Sequence, residues 1–345
     1  MTEEKSDTMM QIIKTKVSFV KAFLPFISFL ASFLILYSIY PASLEPTWTG
    51  TWKNRMGYLF FLWLFLLETI LSWEALRAEK FRLKSVRTMV FIIALFLPTA
   101  YVIVSNYFGL NTFIVNLSMQ YNVRPDWAAL MPLSTEYLVF AVLLVLIVFL
   151  RNGVVGIKTY SVSMLLLVTI GSIYTIDNLY PFGEFTPFQI MVPSTAMFAA
   201  NVLNLMGYET VLSARTQMPY LFVAHQKDSF GALIAWPCSG VESLLIYSVT
   251  ILLFLKKSAM QLKYKIAYFA VGAVITYLIN IFRIVTIFVI GVNNGDWGLF
   301  HDYYGPLYSL AWIITYPLIV LGSQALISEI KDRKIKQENT PTDYV

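Results

Sequence analysis

Hydrophobic residues fall in long runs of about 16–30, separated by short polar segments, and this alternation sets the pattern of the whole chain. A helix needs about 20 apolar residues to cross the hydrocarbon core of a bilayer. Eight runs approach or exceed that length, at about 17–40, 56–76, 86–107, 135–150, 154–176, 238–255, 264–292 and 305–327. A ninth apolar run, 188–212, is interrupted by Pro193, Asn201, Asn204, Gly207 and Glu209. The distribution of cations decides its place. Lys and Arg cluster at Lys14 and Lys16, between Arg77 and Arg87, from Arg151 to Lys158, from Lys256 to Lys265 and after Lys331, whereas 106–134 holds only Arg124 and 293–304 holds none. Basic loops stay in the cytoplasm, and all five clusters lie there only if 188–212 does not cross.

The pattern therefore predicts an all-α polytopic membrane protein with about eight transmembrane helices and both termini cytoplasmic. An outer-face interfacial or re-entrant helix at 188–212 and a small hairpin within 217–236 precede Cys238. The chain reads as a single integral membrane domain with a cytoplasmic tail at 1–16, an extracytoplasmic insertion at 177–237, a helical segment 238–327 and a second cytoplasmic tail at 331–345. The loop 106–134, with Tyr121, Trp127 and Pro132, reads as another interfacial element, because aromatic rings collect at headgroup depth.

Composition agrees with this reading: 58% of the residues are hydrophobic and 13% charged, far from the balance of a soluble domain. The net charge of +5 would suit nucleic acid in a soluble chain, but here it is made of loop clusters that set topology, so no nucleic-acid partner is expected. One cysteine excludes an internal disulfide and any paired-cysteine metal site, and no metal or cofactor is expected. The first apolar run continues to anchor length without a small-residue cleavage site, so no cleavable signal peptide is evident.

Candidate chemistry centres on Trp236-Pro237-Cys238-Ser239-Gly240-Val241-Glu242. Pro and Gly resist a helix interior, so the stretch reads as a helix start at the outer membrane boundary, where the helix dipole favours a thiolate. A buried, inert thiol is the competing reading. Arg283 lies nineteen residues into the returning helix from Tyr264, a rise of about 28 Å that brings it to nearly the same depth. An arginine inside an apolar run is costly, and Asn280, three residues earlier, shares its face. His301 follows the outer loop 293–298, again at that depth. Thiol, guanidinium and imidazole at one level suit a cysteine peptidase in which His301 is the general base and Arg283 stabilises anionic charge. His225 is the rival base and reads as a solvated loop residue. Glu242, one turn after Cys238, together with Ser239, Gly240 and Asn280, is expected to support the site or bind substrate. Asp302 is adjacent to His301, a spacing that rarely lets one side chain orient the other.

Cys238-Ser239-Gly240 opening a span, Asn280-x-x-Arg283 late in the next and His301 before the last resemble the exosortase/archaeosortase family of membrane-embedded cysteine transpeptidases. The resemblance covers about 188–321. It implies that Cys238 is the nucleophile, Arg283 the family's arginine and His301 the third member, a place held by arginine in some archaeal relatives. It further implies cleavage, on the extracytoplasmic side, of secreted proteins that end in a short motif, a transmembrane helix and a basic cluster. The new C-terminus then passes to a lipid or other acceptor. Histidine at that third place looks more like the bacterial-type triad, whereas the lysine-rich inner loops and the chain length lean toward an archaeal member. Competing classes are a secondary transporter, which requires repeats and midplane acidic sites that the sequence lacks, a lipid or acyl transferase using His301 without the thiol, and a non-catalytic assembly factor.

Overall fold

The computed structural model describes residues 22–45, 48–73, 76, 86–213, 218–258 and 260–338. The tail 1–16 and all of the basic segment 77–85 lie outside the described residues. The chain divides into two compact units, Met1–Phe185 and Thr186–Val345.

The first unit is helical: α1 Ala22–Ile39, α2 Met56–Leu71, α3 Val86–Tyr107, α4 Leu110–Gln120, α5 Met131–Thr159 and α6 Ser161–Leu179. α3 is interrupted at Leu95 and Phe96, just ahead of Pro98, which has no N–H to return to the carbonyl of Ala94. The break expected at 151–153 is not a loop. α5 continues to Thr159 through a kink at Gly153, whose φ of 58° and ψ of −143° only glycine adopts readily. Carbonyls near the kink are taken up by α3, where Arg87 donates from Nε to the Leu150 oxygen at 2.6 Å and from Nη2 to that of Phe149 at 2.9 Å. The chain reverses instead at Tyr160. There Glu68 of α2 accepts from the N–H groups of Val162 and Ser163 at 3.2 and 3.1 Å and from the Ser163 hydroxyl at 2.7 Å, satisfying first-turn donors of α6 that no intrahelical carbonyl can reach. The 106–134 loop is mostly helical, with α4 and a short turn Pro125–Ala128.

The second unit carries α7 Val192–Leu205, a three-stranded antiparallel sheet, and α8 Val241–Lys257, α9 Leu262–Val292 and α10 Gly305–Glu338. The strands are β1 Glu209–Ser213, β2 Tyr220–His225 and β3 Asp228–Leu233, in the order β1-β2-β3. The expected hairpin is present as β2–β3, but the ninth apolar run is not helical to 212: it turns at Met206-Gly207 and residues 209–213 become a third strand. Val211 and Leu212 are β-formers whose hydropathy alone did not distinguish strand from helix. The tail expected from 331 onward is helical as far as Glu338.

Among the described residues, seven helices are long and apolar enough to cross a bilayer: Ala22–Ile39, Val86–Tyr107, Pro125–Thr159, Ser161–Leu179, Thr186–Leu205, Leu262–Val292 and Trp297–Ile327. Met56–Leu71 is a shorter apolar helix, and α8 has 17 residues. This is an all-α polytopic membrane protein with one small sheet. Thr186–Leu205 is thus long and apolar enough to cross, whereas the distribution of basic loops predicts that it does not.

Lipid gives helices little hydrophobic reason to associate, so polar bonds and close approach carry more of the packing. In the second unit Tyr247 of α8 and Tyr316 of α10 both donate to carbonyls of α9, the first to Phe269 at 2.9 Å and the second to Tyr268 at 2.6 Å. Gly272 of α9 leaves the room for both rings. Ile251, Leu255, Ile313 and Val320 close the apolar cluster around them. Nearer the start of α8, the Ser243 hydroxyl donates to that of Ser309 at 3.1 Å, so α8 and α10 are in register where the candidate residues stand.

Candidate active site

Cys238 does not sit in the first turn of α8. It lies on a separate 3-10 turn, Trp236–Ser239, with Pro237 in its first positions, and Gly240 at φ 96° divides this turn from the helix. The dipole of a long helix therefore does not begin at the thiol. Gly240 is needed twice over: its φ is left-handed, and a Cβ there would stand 3.0 to 3.3 Å from the Asn280 side chain.

The turn is held from behind. Asn280 of α9 donates from Nδ2 to the Cys238 carbonyl at 3.0 Å, and Thr195 of α7 donates to the Ser239 carbonyl at 3.3 Å while sharing a 2.9 Å bond with the Tyr277 hydroxyl. The Ser239 hydroxyl donates to the Trp236 carbonyl at 2.6 Å. Phe188 packs against Trp236 with ring centroids 4.6 Å apart. Four segments thus fix the backbone of a half-buried cysteine.

Opposite the thiol stands His301. Its Nε2 is 3.9 Å from Cys238 Sγ, and its Nδ1 is 2.8 Å from Asp302 Oδ1. A carboxylate accepting from Nδ1–H leaves Nε2 bare and directed at the thiol. The expectation that neighbours in sequence would not pair in this way is overturned. Both residues lie on a π-helical turn, Phe300–Tyr304. At 38% and 31% side-chain exposure, imidazole and carboxylate remain reachable.

Arg283 reaches the group through the backbone of His301, donating from Nη2 to its carbonyl at 3.1 Å. Its Nε is buried without a hydrogen-bond partner among the described residues. A Cβ on Gly305 would lie 2.7 Å from that Nε, so glycine at the start of α10 gives the guanidinium its path. Asn280 Oδ1 is likewise buried and unpartnered. Glu242, on the first turn of α8, makes no hydrogen bond among the described residues but lies within electrostatic reach of Arg283. His225 ends β2 with its ring 4.8 Å from that of Tyr208, away from the thiol's partners.

Cys238, Arg283, His301, Ser239, Gly240 and Asn280 thus come together, and Glu242 acts on the group through the charge of Arg283 rather than through a hydrogen bond. Asp302, Thr195, Tyr277 and Gly305 join the group and were not singled out in the sequence as parts of it. Gly305-Pro306 at the head of an apolar run was the available sign for the last. No group of three or more His, Cys, Asp or Glu able to hold a metal occurs among the described residues.

The family model described as transmembrane exosortase (Exosortase_EpsH) matches residues 48–317. The match begins well before 188, so it takes in most of the helices of the first unit as well as every residue just described. No curated protein and no solved structure matches the chain.

Proposed function

The chain belongs to the transmembrane exosortase family, and from that premise we propose that Cys238, His301 and Arg283 form the catalytic centre of a cysteine transpeptidase that works at the extracytoplasmic membrane boundary. The observation that carries this reading is the 3.9 Å approach of Sγ to Nε2 with Asp302 on the far side of the imidazole. Catalytic hydrogen bonds are often long before substrate binds.

In the proposed reaction His301 Nε2 takes the thiol proton and the thiolate attacks the scissile carbonyl carbon. Arg283 supplies positive charge as the carbonyl oxygen becomes an oxyanion. The tetrahedral species collapses, the C–N bond breaks, and the imidazolium gives its proton to the departing amine, leaving a thioester on Cys238. An acceptor hydroxyl or amine, deprotonated by the same imidazole, then attacks the thioester and returns the thiol. Substrates are secreted proteins whose C-terminal signal comprises a motif, a transmembrane helix and a basic cluster, and the acceptor is a lipid or another extracytoplasmic nucleophile. Confinement of both partners to one membrane supplies much of the positioning that a soluble protease obtains from a cleft. The basic inner loops and the length are the grounds for reading the protein as an archaeal member.

The test is processing of a reporter with such a C-terminus in membranes. Cys238→Ala, Cys238→Ser and Arg283→Ala leave it uncut. Normal cutting by Cys238→Ala removes the nucleophile assignment, and in that case the acyl-transferase reading with His301 acting alone takes its place. An impermeant thiol reagent applied from outside labels a cysteine placed in 293–296; labelling only from the cytoplasmic side reverses the orientation.

A further inference from the structure

The sheet that precedes Cys238 has a free edge, and the register shows which backbone groups lie on it. Ile234 donates its N–H to the Pro219 carbonyl at 2.8 Å, continuing the β2–β3 ladder by one step beyond the Tyr220–Leu233 pair. Hydrogen-bonded and non-bonded pairs alternate along an antiparallel ladder. Residues 228, 230, 232 and 234 therefore turn their N–H and C=O groups toward β2, while Ser229, Gly231 and Leu233 turn theirs outward. None of these three makes a hydrogen bond elsewhere among the described residues.

The side chains of β3 explain why the edge stays open. Phe230 packs on α9 and the loop beyond it, with ring centroids 5.4 Å from Phe288 and 5.3 Å from Trp297, and Asp228 Oδ1 accepts from Asn294 Nδ2 at 3.2 Å. Both belong to the even-numbered face. The contacts of Phe230 and Asp228 thus come off one face of the strand, and no strand pairs with its outer edge among the described residues. Proteins commonly blunt such an edge with proline, lysine or an inward charge; Ser229-Phe230-Gly231-Ala232-Leu233 has none of these. Open backbone groups are not tolerated in hydrocarbon, so the edge belongs to the aqueous or headgroup layer. The chain leaves β3 at Leu233 and reaches the nucleophile five residues later.

We infer that the outer edge of β3 is the docking strand for the substrate, taking the extended segment that precedes the scissile bond as an added fourth strand. This rests on the transpeptidase reading above. Direction follows from connectivity. β3 runs toward Cys238, and the residues ahead of a bond poised at Sγ also run toward it, so the added strand pairs parallel to β3. Backbone bonds from Ser229, Gly231 and Leu233 would hold the peptide whatever its side chains are, and alternate side chains would face the protein. Recognition is therefore expected to show a period of two along the motif.

The experiment uses the full-length protein in membranes and a secreted reporter that carries the C-terminal motif, helix and basic cluster of a protein from the same cell. Proline on the outward positions removes an edge donor without touching the ladder to β2. Leu233→Pro lowers kcat/KM by about tenfold, as expected for loss of a backbone donor, while Leu233→Ala, which keeps the N–H, falls well short of that loss. Alkylation of Cys238 by iodoacetamide at an unaltered rate shows that the nucleophile turn is intact. If Leu233→Pro fails to fold, Ser229→Pro is the second variant. A further readout needs no turnover: in Cys238→Ala carrying Leu233→Cys, single cysteines walked along the reporter motif form disulfides at alternate positions. Equal losses for Leu233→Pro and Leu233→Ala, or cross-links without alternation, overturn the docking strand. Processing of the reporter by Cys238→Ala overturns the transpeptidase reading instead, so the two failures are distinguishable.

Discussion

The two units differ in what their buried cations meet. In Met1–Phe185 the charges are matched to each other: Lys53 lies 2.6 Å from Asp177 and donates to Asn178 Oδ1 at 2.7 Å, and Arg55 meets Glu136 through two bonds of 2.8 and 2.9 Å. Aromatic rings flank both cations, Trp127 at 4.2 Å from Lys53 and Tyr40 and Trp48 at 4.9 and 5.0 Å from Arg55, although Arg55 Nη1 is buried without a hydrogen-bond partner among the described residues. Burial pulls the Lys53 ammonium below its ordinary range while the Asp177 carboxylate pushes it back up. In Thr186–Val345, by contrast, Arg283 forms no ion pair among the described residues: Nη2 donates to the His301 carbonyl, Nε has no hydrogen-bond partner, and Glu242 acts on it only electrostatically. A cation locked against a carboxylate serves the fold, whereas one outside an ion pair keeps charge to offer a ligand. The contrast separates a supporting cluster from a reactive one more sharply than the presence of charge in an apolar chain does.

Four substitutions break or sharpen this contrast. The largest effect is expected from Cys238→Ser, which lowers processing by about three orders of magnitude or more with no change in thermal midpoint. Next is Glu136→Ala, which leaves the Arg55 guanidinium buried and uncompensated. It destabilises the protein by about 3–5 kcal/mol, seen as a lower denaturation midpoint in detergent, while Arg55→Met combined with Glu136→Leu recovers much of the loss. Gly305→Ala comes third. Its Cβ presses on Arg283 Nε, an overpacking of about 1–3 kcal/mol, and kcat falls further than the midpoint does; an equal fall in both would mark Gly305 as part of the packing only. The smallest effect is that of His225→Ala, with kcat/KM within about twofold of the parent, as for surface positions away from a site.

Much of the architecture was legible because hydropathy has a physical length scale. Runs near 20 residues marked the spans, and Pro237 with Gly240 marked a special turn. The break near Gly153 was misplaced because glycine and arginine together look like a loop, whereas Arg87 takes up the carbonyls and lets the helix continue. Equal depth drew attention to Cys238, Arg283 and His301, since depth can be counted along a helix. Asp302 was discounted because an ordinary helix or strand separates adjacent side chains, and a π-helical turn is not visible in composition. Thr195 and Tyr277 carry no local signal, being a hydroxyl and a phenol in apolar helices. The charge pairs of the first unit were equally hidden: Lys53 and Asp177 are 124 residues apart, and no periodicity links them.

The bond from Arg283 to the carbonyl of His301 gives one side chain two duties, as a cation and as a strut for the neighbouring imidazole. Inactivity after truncation at this position is what either duty alone would produce. Soluble guanidinium separates them, because a diffusing cation replaces missing charge but cannot hold a backbone in place. Rescue of Arg283→Ala by millimolar guanidine would assign the loss to electrostatics, and failure of rescue alongside a slowed alkylation of Cys238 would assign it to the strut.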